Sequence, residues 1–136
     1  VLGCKTTVIP NNVTSIGTNA FYGRDVTSVK IPESVTNIGR YAFGGFNRSA
    51  FTIPNSVTNI GTEVFSGCNS LTSMVVQDGN STYNSKDNCN AIIETATNTL
   101  IAGCQNTIIP NGVVAIGEFA FSNIDALTSI FIPKSV

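Results

Sequence analysis

The side chains of this chain that could do chemistry are four cysteines and eight scattered carboxylates. Histidine is absent, and no two cysteines form a Cys-x-x-Cys pair. Histidine is the most common general acid–base group, and zinc sites are built from closely spaced cysteine and histidine. Neither a glycine-rich phosphate loop nor a nucleophile elbow occurs in the sequence. We therefore expect no enzymatic activity, no bound metal and no cofactor.

The cysteines differ in what their positions predict. Cys68 occupies a position that holds phenylalanine or isoleucine in equivalent segments, which predicts a buried apolar thiol. Cys89 and Cys104 face each other if the segment between them folds as a hairpin. Their proximity is compatible with a disulfide or with two adjacent reduced thiols, and both alternatives stay open. Cys4 is expected to be a free thiol.

One polar segment faintly resembles a calcium-binding loop. It runs from Asp78 to Thr82, with Asp87 and Asn88 close behind. Carboxylate and amide oxygens bind calcium, but the same residue types are the usual constituents of turns. We interpret this segment as ordinary loop. The chain also contains three Asn-x-Ser/Thr sequons, at Asn12, Asn47 and Asn80.

The sequence is built from a repeated segment, and the structural elements of that segment must position these residues. Each of the five prolines follows an isoleucine, and successive prolines are 22, 22, 56 and 23 residues apart. A fixed period in the twenties is typical of solenoid folds, in which each repeat stacks on the next. The repeats lie near 9–30, 31–52, 53–75 and 109–131, and a fifth begins at Ile132.

Residue types within a repeat predict two short strands and two turns. Alternating β-branched residues predict a first strand that ends at the proline. The Val-x-x-Ile run that follows predicts a second strand, and the glycine after it predicts a tight turn. The Ala-Phe segment is too short for a regular helix and is predicted to form one helical or 3₁₀ turn. A single repeat cannot bury its apolar side chains alone, so neighbouring repeats must stack.

The 56-residue interval contains one repeat and an insertion at 77–105. The insertion is predicted to form a β-hairpin with a loop over Thr95–Asn98. The expected pairs are Glu94 with Thr99, Ile93 with Leu100, Ala91 with Ala102, and Cys89 with Cys104. We expect residues 1–136 to be a single solenoid fragment, truncated within a repeat at both ends.

These repeats resemble the BspA-like, or treponemal-type, leucine-rich repeat family. The resemblance covers nearly the whole chain and is carried by runs such as Ile53–Gly61 followed by Phe65–Ser73. It implies a leucine-rich-repeat-like right-handed coil of short β-strands with turns or 3₁₀ segments, mostly β and irregular, interrupted by one hairpin insertion. Members of that family are mostly secreted or surface-attached proteins of bacteria and some protists, implicated in adhesion and protein binding. The family pattern contains no catalytic residues.

The solvent-facing side chains of the predicted first strands form a candidate binding surface. Each repeat contributes one such residue between two inward-facing positions, and four of the six are apolar. An exposed apolar column with a polar rim often marks an interaction site, although β-branched residues also suit an exposed sheet. We call this set the outward column: Val8, Lys30, Thr52, Val75, Ile108 and Phe131.

Composition limits the kind of partner. The net charge is −1 and there is no basic run, which argues against nucleic acid. No apolar stretch is long enough to cross a membrane, so no membrane insertion is expected. Together with the resemblance, these features predict a noncatalytic module, secreted or at a cell surface, that binds an extracellular or host-surface protein, or a glycan. The alternative is a structural spacer that projects other domains. The uncapped ends are also expected to associate end to end.

Overall fold

The structure, a computed structural model, describes residues 7–26 and 29–136. The described part of the chain is a repeat fold of short strands and turns without α-helices. The strands are β1 (Ser15–Ile16), β2 (Asn37–Ile38), β3 (Ala50–Ile53), β4 (Asn59–Ile60), β5 (Ser73–Val76), β6 (Tyr83–Asn84), β7 (Ala91–Glu94), β8 (Thr99–Gly103) and β9 (Ala115–Ile116), with a short 3₁₀ segment at Lys86–Asn88.

The second strands of successive repeats stack in register. β1 pairs in parallel with β2, and β2 pairs in parallel with β4. The partners are equivalent residues of neighbouring repeats, so Ile16 lies opposite Ile38 and Ile38 lies opposite Ile60. The predicted second strand is therefore confirmed as a short parallel ladder that joins three repeats.

In the described part of the chain the first strands form one ladder. β3 pairs in parallel with β5, which places Thr52 opposite Val75. The prediction of a first strand in every repeat is wrong for the described residues 29–31, 107–109 and 127–132, which are not in strands. At the fourth repeat the amide of Ile108 donates to the carbonyl of Cys89, 3.0 Å away in the insertion. The insertion thus occupies the place where a neighbouring first strand would pair.

Stacked phenylalanines form the centre of the core. Phe43 is fully buried, and its ring stacks on Phe21 at 5.2 Å and on Phe65 at 6.0 Å between centroids. Those two rings belong to the repeats on either side. Phe46 and Phe51 approach the same ring edge-on at 5.9 and 4.6 Å. Aromatic pairs in such geometries add to the stabilisation from burial itself, so this cluster holds three repeats together.

The Ala-Phe segment forms a series of tight turns and not the predicted helical or 3₁₀ turn. Successive amides alternate in direction: Ala20 donates to Gly17 of its own repeat, whereas Phe21 donates to Ala42 of the next repeat at 2.8 Å. The alternation depends on residues with positive φ at two equivalent positions of each repeat. They are Asn19, Tyr41, Glu63 and Phe119 at the first position, and Gly23, Gly45, Gly67 and Asn123 at the second. A helical turn would keep every amide within its own repeat and would leave the repeats unjoined here.

The insertion confirms the predicted hairpin and adds a sheet to the stack. β7 and β8 are antiparallel and pair Glu94 with Thr99 across the predicted loop. β6 extends this sheet on one side. On the other side β8 pairs in parallel with β9, which places Leu100 opposite Ile116. β8 therefore takes the place that the second strand of a preceding repeat would have.

The register of the hairpin changes halfway along. A bulge between Ile92 and Ile93 shifts the pairing by one residue, so Ala91 lies opposite Gly103. The predicted pairing of Ala91 with Ala102 is wrong for this reason. Gly103 also donates its amide to the carbonyl of Ala120 at 2.9 Å. The end of β8 is thus held by the repeat packed against it as well as by β7.

One backbone hydrogen bond joins the turns across the insertion. The amide of Gly67 donates to the carbonyl of Ser122 at 3.2 Å, although the two residues belong to repeats on opposite sides of the insertion. We call the four stacked turns, 19–23, 41–45, 63–67 and 119–123, the turn column. It is the side of the fold on which all four repeats contact each other in sequence order.

In the second and third repeats, the glycine after the second strand lies against the preceding repeat. A Cβ added at Gly61 would lie 2.7 Å from the backbone nitrogen of Arg40, and one at Gly39 would lie 2.6 Å from that of Thr18. Close approach between repeats thus requires glycine at this position, since neither residue has a positive φ.

Gly61→Ala is expected to destabilise the fold by about 1–3 kcal/mol, because the added methyl group must displace backbone. Gly17→Ala is the matched control, because a Cβ at Gly17 would meet nothing within 4 Å. Urea denaturation followed by circular dichroism gives both values. Equal midpoints for the two variants would show that the repeats are not packed this closely.

Candidate functional site

The outward column lies on the surface throughout its length. All six of its side chains are exposed. Val8 is the most exposed at 84%, and Ile108 and Phe131, which lie on neighbouring repeats, are 71% and 80% exposed. Ile132, directly after Phe131, is also exposed. Large apolar side chains with this exposure, one repeat apart, form a candidate contact for a partner.

The outward column is not one continuous sheet. Only Thr52 and Val75 lie opposite each other on paired strands. Between Lys30 and β3 the surface opens into a cleft of about 500 Å³ that is also lined by Arg48 and Gln77. The structure therefore exposes the six predicted residues but brings only two of them together as a ladder.

Cys89 and Cys104 are free thiols in the structure. Because the bulge shifts the register, Cys89 no longer lies opposite Cys104 in the pairing. Each sulfur contacts a different carbonyl: that of Cys89 lies 3.6 Å from the oxygen of Ala91, and that of Cys104 lies 3.3 Å from the oxygen of Asn90. Burial raises the pKa of both thiols, which keeps them protonated and weakly nucleophilic.

Cys68 is a buried thiol, as predicted. Its sulfur lies 3.2 Å from the carbonyl oxygen of Phe43, and burial raises its pKa to about 11. Cys4 lies outside the described residues. Among residues 7–26 and 29–136, no group of three or more cysteine or carboxylate side chains is arranged to hold a metal ion.

The junction between the hairpin and the repeats contains a small cleft with two carboxylates. The cleft has a volume of about 160 Å³ and is lined by Glu94, Glu118 and Tyr83. The Glu94 carboxylate accepts a hydrogen bond from the hydroxyl of Thr97. Substrate pockets usually have volumes of about 300–1,000 Å³. This cleft is too small for an ordinary substrate site.

The polar segment that resembled a calcium loop is organised by Asn80. Its side-chain amide donates to the carbonyls of Pro54 and Val57, both at 2.9 Å. Its side-chain oxygen accepts hydrogen bonds from the amides of Thr82 and Tyr83 at 2.9 and 2.8 Å. Asn80 thus fastens the insertion to the third repeat, and its side chain is occupied with protein groups.

The turn column carries a polar and aromatic cluster that the sequence did not reveal. The guanidinium of Arg40 lies 4.8 Å above the ring of Tyr41 and 2.6 Å from the carboxylate of Glu63. The hydroxyl of Tyr41 donates to the same carboxylate. These hydrogen bonds, from Tyr41 first and then from Arg40, lower the pKa of Glu63, whereas the bond to Glu63 raises the pKa of Tyr41. The rings of Tyr22 and Tyr41 form a T-shaped pair with centroids 5.8 Å apart.

The sequence contained only a weak signal for this cluster. Its residues occupy positions of the repeat where the residue type changes from copy to copy, so periodicity does not single them out. Tyr41 has a φ of 55°, a conformation that tyrosine rarely adopts and that residue type alone would not predict.

The stacked repeats with parallel ladders and a buried or partly buried phenylalanine in each turn define a leucine-rich repeat protein. A family model described as the BspA type leucine-rich repeat region matches residues 3–100 and 96–136, in six copies. The chain belongs to this family, which confirms the resemblance seen in the sequence. A search of curated proteins finds no significant match.

Solved structures of three bacterial proteins share the fold. A leucine-rich cell surface protein of Faecalibacterium prausnitzii is 33% identical, with a TM-score of 0.73 over 90% of this chain and 34% of that protein. A leucine-rich repeat protein of Eubacterium ventriosum is 22% identical, with a TM-score of 0.69 over 95% of this chain and 41% of that protein. The pneumococcal vaccine antigen PcpA is 17% identical, with a TM-score of 0.58 over 95% of this chain and 51% of that protein. The chain spans about a third to a half of these proteins. Among the described residues no helix is long and apolar enough to cross a membrane.

Proposed function

We propose that this chain is a noncatalytic binding module displayed at a bacterial cell surface, and that its outward column contacts a protein partner. In this proposal the repeats wind as a right-handed solenoid, whose successive turns present equivalent side chains along one surface. The observation that carries the proposal is the exposure of Ile108 and Phe131 on neighbouring repeats. Buried aromatic anchors surrounded by a polar rim dominate the affinity of many protein interfaces.

Two further observations support this proposal. The similar protein of F. prausnitzii is described as a leucine-rich cell surface protein. The buried thiols have raised pKa values, and the cleft that holds Glu94 and Glu118 is small, so the described residues offer little chemistry to a catalytic mechanism.

A double variant, Ile108→Ser with Phe131→Ser, is expected to lose at least about tenfold in affinity for its partner, as is usual when anchor residues are removed. The measurement is biolayer interferometry of the purified chain against a panel of extracellular-matrix and cell-surface proteins. Circular dichroism must first show that the variant is folded.

Val114→Thr is the matched control. Val114 is an exposed apolar residue outside the outward column, and the equivalent residue is threonine in the first three repeats. The control should bind like the parent chain. Equal binding by the double variant would contradict the proposed surface. Absence of binding by every form of the chain would favour a spacer that projects other domains.

A further inference from the structure

A second concave surface lies on the turn column, away from the outward column. It is a cleft of about 530 Å³, a volume in the usual range for small-molecule sites. We call it the turn cleft; its lining residues are Asn19, Tyr22, Arg24, Tyr41, Ser66 and Asn123. These residues come from all four full repeats. At about 4.8 Å per stacked strand, the turn cleft extends for roughly 14 Å along the stack.

The backbone amides in the first two turns of the turn cleft are already paired. The amides of Asn19, Phe21 and Gly23 donate to carbonyls of the next repeat at 3.0, 2.8 and 2.8 Å. Across the insertion, Gly67 makes the equivalent bond to Ser122. A peptide that binds by adding a strand needs free backbone groups, which the first two turns do not provide. A ligand that lies over these two turns must therefore be recognised by side chains.

Tyr22 provides an open aromatic surface in this cleft. A Cβ added at Gly44 would lie 2.6 and 2.8 Å from Cδ2 and Cε2 of Tyr22, so this side of the ring packs on the backbone of the second repeat, and the ring also forms a T-shaped pair with Tyr41. Tyr22 is nevertheless 55% exposed, so a large part of its aromatic surface is in contact with solvent. An aromatic face is electron-rich and attracts the polarised C–H groups of a sugar ring.

The polar groups around Tyr22 are partly oriented and partly unpaired. The amide of Asn123 donates to the hydroxyl of Ser66 at 2.9 Å, which fixes its orientation. The side chains of Asn19 and Arg24 make no hydrogen bond or ion pair within the described residues. Amides, hydroxyls and a guanidinium can each bond to sugar hydroxyls, and the planar guanidinium also matches a carboxylate.

The charges in the turn cleft favour an acidic ligand. Arg40 and Glu63 neutralise each other at 2.6 Å. Within residues 7–26 and 29–136, Arg24 is then a cation without an acidic partner, while Asp25, which follows it, has an interaction of its own. One unpaired guanidinium beside an open aromatic ring suits a sugar that carries a carboxylate.

We propose that the turn cleft binds a short acidic glycan. A pyranose ring packs on the exposed aromatic surface of Tyr22, its carboxylate pairs with Arg24, and neighbouring hydroxyls bond to Asn19 and Asn123. This site is independent of the outward column, so either site can fail without the other.

The test uses the full chain and two pairs of probes: sialyllactose against lactose, and trigalacturonic acid against its methyl ester. Affinities come from calorimetry, and the binding site comes from amide shifts in NMR spectra. At least one acidic probe should bind at least about tenfold more tightly than its neutral counterpart, because a charged hydrogen bond is lost in the latter. The shifts should centre on Asn19, Tyr22, Arg24 and Asn123.

Variants then assign the roles of the two main residues. Arg24→Gln should remove the preference for the acidic probe and leave the neutral probe unaffected. Tyr22→Ala should weaken both, whereas Tyr22→Phe, which keeps the ring and its packing on Gly44, should retain binding. The Ile108→Ser, Phe131→Ser double variant is the matched control and should bind as the parent chain does.

Three results would overturn the proposal. The first is that neither acidic probe binds, and the second is that the preference for acid survives in Arg24→Gln. The third is that peptides of a random library shift the amide signals of the turn-cleft residues while neither acidic sugar does.

Discussion

Phe43→Ala is expected to lower the free energy of unfolding by about 3–5 kcal/mol, the usual cost of removing a buried phenylalanine. The expectation rests on the position of the ring, which is fully buried and stacks on phenylalanines from both neighbouring repeats. Domains of this size are usually stable by about 5–15 kcal/mol, so the loss is a large fraction of the total. Urea denaturation measures it directly.

Phe119→Ala is the control for this variant. Phe119 belongs to the turn column of the fourth repeat, and 49% of its surface is exposed. The same change of side chain there should cost well under half as much as at Phe43. Similar losses at the two positions would show that the phenylalanine stack is not the centre of the core.

Asn80→Ala is expected to cost about 2–4 kcal/mol, because it removes a side chain that makes four hydrogen bonds, two to the third repeat and two within the insertion. The carbonyls of Pro54 and Val57 would lose their donor, and two amides of the insertion would lose their acceptor. The loss should appear as a lower urea midpoint and as faster amide exchange in β6 and the 3₁₀ segment, which follow Asn80.

Asn80→Asp separates the two halves of this interaction. Aspartate keeps the acceptor for the amides of Thr82 and Tyr83 but presents an anion to the two carbonyl oxygens. It should therefore destabilise the chain as well, whereas Asn12→Ala, at an exposed sequon asparagine without such bonds, should change stability by less than about 0.5 kcal/mol. An Asn80→Ala variant as stable as Asn12→Ala would mean that the insertion is held by other contacts.

The stacking of the repeats could be predicted from the sequence because it follows from a local pattern. The Val-x-x-Ile run recurs at a fixed spacing, and equivalent residues such as Ile16 and Ile38 pair in the structure as that spacing requires. The loop of the hairpin could also be predicted, because the polar residues of Thr95–Asn98 separate two apolar runs.

Features that depend on contacts between distant residues could not be predicted in this way. The bulge in the hairpin accompanies a bond from Gly103 to Ala120, and no local pattern reveals that contact. The direction of the turn amides depends on positive φ at Tyr41 and Glu63, two residue types that do not favour it. The turn cleft could not be predicted for the same reason, because its residues meet only when four repeats stack.

The candidate sites show the same difference between features that follow from a local pattern and features that depend on distant contacts. The exposure of the outward column followed from alternation along a strand, so Ile108 and Phe131 were identified correctly as solvent-facing. The break in the outward column between Lys30 and β3 could not be predicted, because the sequence of each repeat fits the strand pattern equally well.

The hydrogen bonds of the turn column also determine how the chain would respond to a pulling force. Bonds such as Phe21 to Ala42 and Phe43 to Val64 point from one repeat to the next, along the direction in which repeats are added. Tension between the two ends of the stack therefore loads one interface between repeats at a time. A repeat of 22 residues that peels away extends to about 75 Å, compared with about 4.8 Å while stacked. Under a sudden load such a chain lengthens in discrete steps while the remaining repeats stay folded.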